Sequence, residues 1–297
     1  MEPKSTTIYR TMTQELGKVQ LLRCPPGTSF QDEGRKSGAN FGIPPAGAMD
    51  LKSYHWANHL LQNPPQSVSL EFSQPGLSIT FDQQTFISLA GGQAQVLVND
   101  QSIDNPSLIC IAPGDRLKIG SFQKGHYFYL CIAGGFITES YLNSGSDFDS
   151  VTESANKKTG EILFYKPRPK ILDQKAKVKW NSTWFESPIL EVHPGPDWSL
   201  LTQGQQMELK SRTYQLSKNR SRMGIQLEEL FSNKLPDLPT NPVFPGTVQL
   251  TPSGKIIVLM RDAGVTGGYP RILQLTEVSI NQLAQKKTGD SISFQLI

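Results

Sequence analysis

The chain has 297 residues, 37% of them hydrophobic and 19% charged, with a formal net charge of only +3. That length buries one large core or two ordinary ones. No block of lysine and arginine is large enough to track a phosphate backbone, which argues against nucleic acid as a partner, and no apolar run approaches the roughly 20 residues that span a bilayer.

Residues 1–17 read as a polar extension without the apolar stretch of a secretory signal, and the chain is expected in the reducing cytoplasm. From Asp50 to Asn63 the spacing predicts a helix. Asp50 can cap its start, Leu51, Tyr54, Ala57 and Leu61 recur on one face, and Pro64-Pro65 forbids continuation. Leu77 to Phe81 alternates as a half-buried strand, whereas Gln95 to Val98 and Tyr127 to Ala133 read as strands covered on both faces. Cys24, Cys110 and Cys131 show no metal-ligand spacing, and the latter two sit in apolar runs where a cysteine is a small buried hydrophobe. Lys166-Pro167-Arg168-Pro169-Lys170 opens a Pro- and Lys-rich stretch that is hard to bury, so 171–187 is expected to link two halves, 18–170 and 188–297. A last helix is expected after Ser279, with Gln282 completing a capping box and Ile280, Leu283 and Ala284 facing inward. Pro113-Gly114-Asp115 and Thr288-Gly289-Asp290 each feed an alternating strand, an echo between the halves. Many strands and few helices predict a mainly β protein built of closed, barrel-like sheets.

Three glycine-rich clusters carry the polar groups that could do chemistry. Phe30 to Asp50 packs Asp32, Glu33 and Arg35 beside glycines that let backbone approach a ligand; from the residues alone the plainer reading is a structured loop closing a barrel, with Arg35 paired to a local carboxylate. Ser221-Arg222-Met223-Gly224 is by itself an ordinary turn. Met260 to Arg271 is the most unusual. It leaves the apolar strand Ile256 to Leu259 and presents Asp262, Thr266, the Gly267 and Gly268 amides, Tyr269 and Arg271 within ten residues. Consecutive glycine amides can cradle an anion, and a carboxylate beside them can move a proton; a β-bulge with a tight turn is the alternative. His55 and His59 lie one helical turn apart without an acidic or thiol partner, so no metal site is expected. The signatures GxSxG, GxxxxGK[ST] and HExxH do not occur.

In order and spacing these clusters resemble the biotin-dependent carboxyltransferase-like family, which includes the C component of 5-oxoprolinase, KipA and the carboxyltransferase half of urea amidolyase. The resemblance rests on QDEGR and GIPPAGAMD, Ala57-Asn58, Leu70-Glu71, Ala133-Gly134-Gly135, Gly145-Ser146, Pro194-Gly195-Pro196, Arg222-Met223-Gly224, VLMRDAGVTGGYPRI, Leu283-Ala284-Gln285 and Gly289-Asp290. It implies two cyclophilin-like β-barrel domains with a few short helices. It also implies two partners, the B component (KipI-like) and the A component of 5-oxoprolinase, with which the lactam of 5-oxoproline is opened to glutamate while ATP is hydrolysed. ATP and Mg2+ would come through that complex. Asp262 and Arg271 would be catalytic; Arg35, Arg222, Thr266, Gly267, Gly268 and Tyr269 would bind the lactam; Asp32 and Asp50 are further candidates.

Departures from the family pattern are Ala46 for serine, Gly264-Val265 for Gln-Thr, Ile225 for tyrosine, and Asp147-Phe148-Asp149 for a small polar run. They leave two other readings open: a non-catalytic, KipA-like partner that sequesters a kinase inhibitor, or a carboxyltransferase acting on an amide or urea-like substrate. No biotin-attachment Met-Lys-Met sequence occurs, so biotin is not expected on this chain.

Overall fold

The computed structural model describes residues 16–103, 107–168, 183–236 and 238–297. The expected extension, apart from Leu16 and Gly17, and residues 171–182 of the expected linker lie outside the described residues.

The first half contains β1 (Gly17–Arg23), β2 (Ser29–Gln31), α1 (Leu51–Leu60), β3 (Ser69–Phe72), β4 (Ser78–Phe81), β5 (Thr85–Val98), β6 (Gln101–Ser102), β7 (Ile109–Ile111), β8 (Arg116–Ile132), β9 (Phe136–Ile137) and β10 (Ile162–Tyr165). Ten strands form one sheet, a half-barrel, in the order β2-β3-β8-β4-β1-β10-β9, with β5 running along β8 and carrying β6 and β7. β8 is its spine. β5 flanks it on one side, while β3 and β4 divide the other. Val19, Leu21, Leu70, Phe72, Ile79, Leu117 and Leu130 are among the side chains of its core.

The second half comprises β11 (Ile189–Pro194), α2 (Gln203–Ser211), β12 (Thr213–Arg220), β13 (Gly224–Leu227), β14 (Asn241–Pro242), β15 (Thr247–Leu250), β16 (Ile256–Leu259), β17 (Thr266–Gly267), β18 (Arg271–Leu275), α3 (Glu277–Gln285) and β19 (Ser291–Leu296). Seven of these strands close a barrel in the order β11-β18-β15-β16-β13-β12-β19, and β14 and β17 form a separate two-stranded ribbon. Closure removes the exposed edges that an open sheet must protect. The barrel core reaches into the first half, taking in Ala48, Met49, Tyr54, Tyr127 and Tyr129. One hydrophobic cluster therefore holds the halves together.

The mainly β architecture with a few short helices agrees with the sequence reading, and α1 begins at Asp50, whose side chain accepts from the Ser53 amide at 3.0 Å. Other expectations are corrected. α3 starts earlier than Ser279, because Thr276 is the cap that accepts from the Ser279 amide; Gln282 donates instead to the Trp184 carbonyl. α2 was not expected, yet its start is the true capping box, Thr202 with Gln205. Cys110 is exposed, since on β7 only Ile109 and Ile111 point inward. Gln95 to Val98 is covered on one face only, with Gln95 in solvent. No described helix is long and apolar enough to cross a membrane.

Candidate functional site

Where the halves meet, a polar network runs beside the shared apolar core. Arg222, on the turn between β12 and β13, crosses the boundary. Its Nε and Nη2 donate to the two carboxylate oxygens of Asp262 at 2.7 and 2.8 Å. Its Nη1 pairs with Glu71 of β3, and Nη2 also reaches the Gly47 carbonyl at 2.7 Å. Asp262 is placed by the end of β16, where its own amide donates to the Arg222 carbonyl at 2.9 Å. Glu71 additionally accepts from the Met49 amide and the Tyr129 hydroxyl, each at 2.8 Å. Burial alone would disfavour the Arg222 charge, but Asp262 and Glu71 together hold its pKa well above the ordinary value. Burial pushes the Glu71 carboxyl up, and Arg222, the Met49 amide and Tyr129 pull it back.

A second strand of the same network starts at Asp50. Its amide donates to Tyr129, and its carboxylate accepts from Ser53 and, at 2.8 Å, from Gln285 of α3. Gln285 also accepts from the His126 and Tyr127 amides, so one side chain ties α1, β8 and α3. Asn281 accepts from the Leu51 amide and from Arg261, which pairs with Glu277. Asp50 is thus a helix cap with no exposed surface. Burial raises its pKa, opposed by the hydrogen bonds from Ser53 and Gln285.

Residues 34–47 form a loop pinched at its base. Gly34 and Gly47 adopt φ of +86° and +87°, and a Cβ on Gly47 would stand 2.8 Å from the Gly34 nitrogen, so only glycine fits there. Arg35 donates its amide to the Pro45 carbonyl at 2.7 Å, while the Ala46 amide reaches across to the Arg261 carbonyl at 3.1 Å. Asp32 anchors the neighbouring turn. It accepts from the Gly34 amide, the Ser144 and Ser146 hydroxyls and the Gly145 amide, at 2.6 to 2.7 Å. Those four bonds occupy both carboxylate oxygens, so Asp32 builds the site rather than meeting a ligand.

Arg35 is finished differently. It is only 5% exposed, and Nη2 donates to the Ser146 carbonyl, yet Nε and Nη1 have no partner. Burial lowers its pKa, and the negative charges of Asp32, Asp262 and Asp147 act in the opposite sense. A buried guanidinium with two unmatched donors calls for an oxygen acceptor, which a ligand carboxylate or carbonyl supplies.

The structure therefore brings Asp32, Arg35, Asp50, Arg222 and Asp262 to one boundary. It does not bring Arg271 there: that side chain pairs with Asp197 at 2.9 Å and donates to the Pro242 carbonyl. Thr266 and Gly267 lie in the ribbon with Asn241 and Pro242, Gly268 accepts from the Leu238 amide, and the Tyr269 side chain is 43% exposed. Among the described residues the Gly267-Gly268 stretch shares no hydrogen-bond partner with Arg35 or Arg222. Sequence reasoning gave no role to Glu71, Tyr129, Asn281 or Gln285. Glu71 had a legible signal: it is the lone carboxylate in Ser69-Leu70-Glu71-Phe72, a fully buried strand where a charge needs a partner.

Residues 41–296 match the family described as carboxyltransferase domain, subdomain A and B. The chain is 28% identical to the C component of 5-oxoprolinase from Escherichia coli (strain K12), covering 93% of this chain and 90% of that one. Against urea amidolyase of Saccharomyces cerevisiae it is 26% identical over 98% of its own length but only 17% of the relative's. Among solved structures it superposes on TTHA0988 with a TM-score of 0.84 at 23% identity, covering 95% of this chain and 57% of that one. The urea amidolyase of K. lactis gives 0.82 at 23% identity, over 96% of this chain and 19% of that one. The chain thus spans little more than half of the first of these solved structures, and the likeness to both is one of fold.

Proposed function

This chain belongs to the carboxyltransferase domain family, subdomains A and B, and from that premise we propose that it is the C component of a 5-oxoprolinase complex. In this reading its two domains, 18–170 and 188–297, hold 5-oxoproline at their boundary while the lactam is opened to L-glutamate. Identity to the C components of two bacterial 5-oxoprolinases, 28% and 27% across at least 90% of both lengths, supports it. The observation that carries it is the pair of unmatched Arg35 nitrogens in a buried wall whose neighbouring carboxylate, Asp262, is held by Arg222.

The chemistry fits the substrate. 5-Oxoproline has one carboxylate and one lactam amide. Arg35 takes a carboxylate oxygen through one of its two unmatched nitrogens, a charge-assisted contact that a neutral amide would not match. Asp262 accepts from the lactam N–H and fixes the ring; as the C–N bond breaks, the departing nitrogen gains the proton that the attacking water gives up, and Asp262 is the carboxylate beside it that can relay that proton. Arg222 keeps Asp262 oriented, and Glu71, Tyr129 and Gln285 keep Arg222 and α1 in place. Arg271 and residues 266–269 are left outside this constellation.

The Leu51 and Ser53 amides in the first turn of α1 are taken by Asn281 and Asp50, and α2 and α3 are capped by Thr202 and Thr276. The described residues also hold no group of three or more His, Cys, Asp or Glu side chains suited to a metal. In the proposal, the partner A and B components bind ATP and Mg2+, which would supply the phosphoryl group that turns the lactam oxygen into a leaving group. Co-expression with the candidate partners, followed by an assay of 5-oxoproline-dependent phosphate release, tests the reading. Release that is lost in Arg35→Met supports it; turnover that needs carboxylated biotin, or stoichiometric binding without turnover, overturns it.

A further inference from the structure

An open cavity lined by residues of both halves, Gln285 among them, lies at their boundary. It measures about 450 Å³, within the range of small-molecule sites. The β8 strand of the first half contributes Lys124, and the second half contributes Lys286, Lys287 and Asp290, with Phe185 and Glu186 alongside. Its three lysines face two carboxylates, and the carboxylates are already engaged. Glu186 pairs with Lys124 at 2.6 Å, and Asp290 accepts from the Lys287 amide at 2.7 Å.

That leaves the cations in excess of the anions. Lys286 is 6% exposed, and its ammonium donates only to the Glu186 backbone carbonyl at 2.8 Å. Lys287 donates to the Gln123 carbonyl at 3.3 Å, and behind both Arg220 donates to the Lys286 and Ala284 carbonyls. Among the described residues none of the three forms a salt bridge; the carboxylates of Asp290 and Glu186 act on Lys286 from further away, and Asp290 on Arg220, so these three cations and Lys124 share two carboxylates. A buried ammonium retains donors that one carbonyl cannot saturate, and the usual remedy is a counter-anion.

We infer that this cavity binds a small oxyanion, phosphate or carboxylate in type, between Lys286 and Lys287. The lysines act as point charges, the manner in which lysine binds phosphate. Bound there, the anion sits beside the boundary, because Lys124 of the first half lines the same cavity as Lys286 and Lys287 of the second. The site shares no ligand-facing residue with Arg35 and Asp262, so its fate is independent of the lactam reading.

The test uses the full chain, with inorganic phosphate and citrate as probes and sodium chloride at matched ionic strength as reference. A saturable rise in melting temperature with phosphate or citrate, absent with chloride, is expected; phosphorus NMR line broadening reads phosphate contact directly. Lys287→Gln should weaken binding about tenfold, the scale of one charge-assisted contact, and Lys286→Gln should do the same. Whichever probe saturates identifies the anion type. Equal shifts with chloride, or unchanged affinity in both variants, overturn the inference. Should Lys286→Gln fail to fold, Lys287→Gln decides alone, since Lys287 sits at the half-buried rim.

Discussion

Arg222 and Arg35 are two buried arginines at one boundary, and the difference between them separates architecture from chemistry. Around Arg222 two carboxylates and two uncharged oxygens meet the guanidinium. Around Arg35 a single carbonyl does so, and two nitrogens are left over. Saturation makes a residue part of the frame, because removing it strands buried charges. Incompleteness makes a residue receptive, because a ligand completes it.

The largest effect should come from removing the saturated arginine. Arg222→Met leaves Glu71 and Asp262 buried without a counter-charge and should cost about 3–5 kcal/mol of stability, read from denaturant melts. A loss below about 1 kcal/mol would show that the boundary is not held there. Removing the unsaturated arginine should do the reverse. Arg35→Met should keep or slightly raise stability while lowering kcat/KM of the reconstituted complex for 5-oxoproline about 10- to 100-fold, the value of a charge-assisted contact. Unchanged kcat/KM would remove Arg35 from the site.

A pH series sets both arginines against a base kept neutral. Burial first, then the charges of Arg220 and Lys287, push the His126 imidazole down from 6.5 to about 3. Between those values the unfolded chain carries a proton that the folded chain does not. Stability should therefore rise with pH through that window and fall away as pH drops toward 3, by at most about 1.4 kcal/mol per pH unit. Melts of His126→Gln should show a flatter slope; an identical slope would place the effect elsewhere. The smallest effect concerns Ala46, which holds φ of 53° inside the pinched loop. Ala46→Gly relieves about 1–2 kcal/mol of left-handed strain against about 0.5–1 kcal/mol of added chain entropy, so the net gain should stay under about 1.5 kcal/mol. Loss of stability in a thermal melt would mean that the buried methyl outweighs the strain.

Local features are legible in the sequence and distant pairings are not. Asp50 and Pro64-Pro65 delimit α1 because a cap and a missing N–H act within a turn or two. The start of α3 is ambiguous because Thr276 and Ser279 both look like caps; Glu277, favourable beside a helix N-terminus, is the deciding signal. α2 is hidden because only Leu209 among its residues is buried, leaving little apolar periodicity to read. At the site, glycine-rich segments mark Asp32, Arg35, Arg222 and Asp262 as unusual. Which of them meet depends on two sheets packing across the boundary, and Arg271, equally conspicuous in sequence, is captured by Asp197 more than seventy positions earlier.

The closing strand of the barrel sets an order of events. β19 sits between β11 and β12, parallel to the former and antiparallel to the latter. During synthesis the first sheet has every strand it needs long before residues 291–296 leave the ribosome, while β11 and β12 must wait with Leu190 and Tyr214 uncovered. Such long-range parallel pairing forms slowly, so the second half is the stretch of this protein on which a chaperone would have most to do.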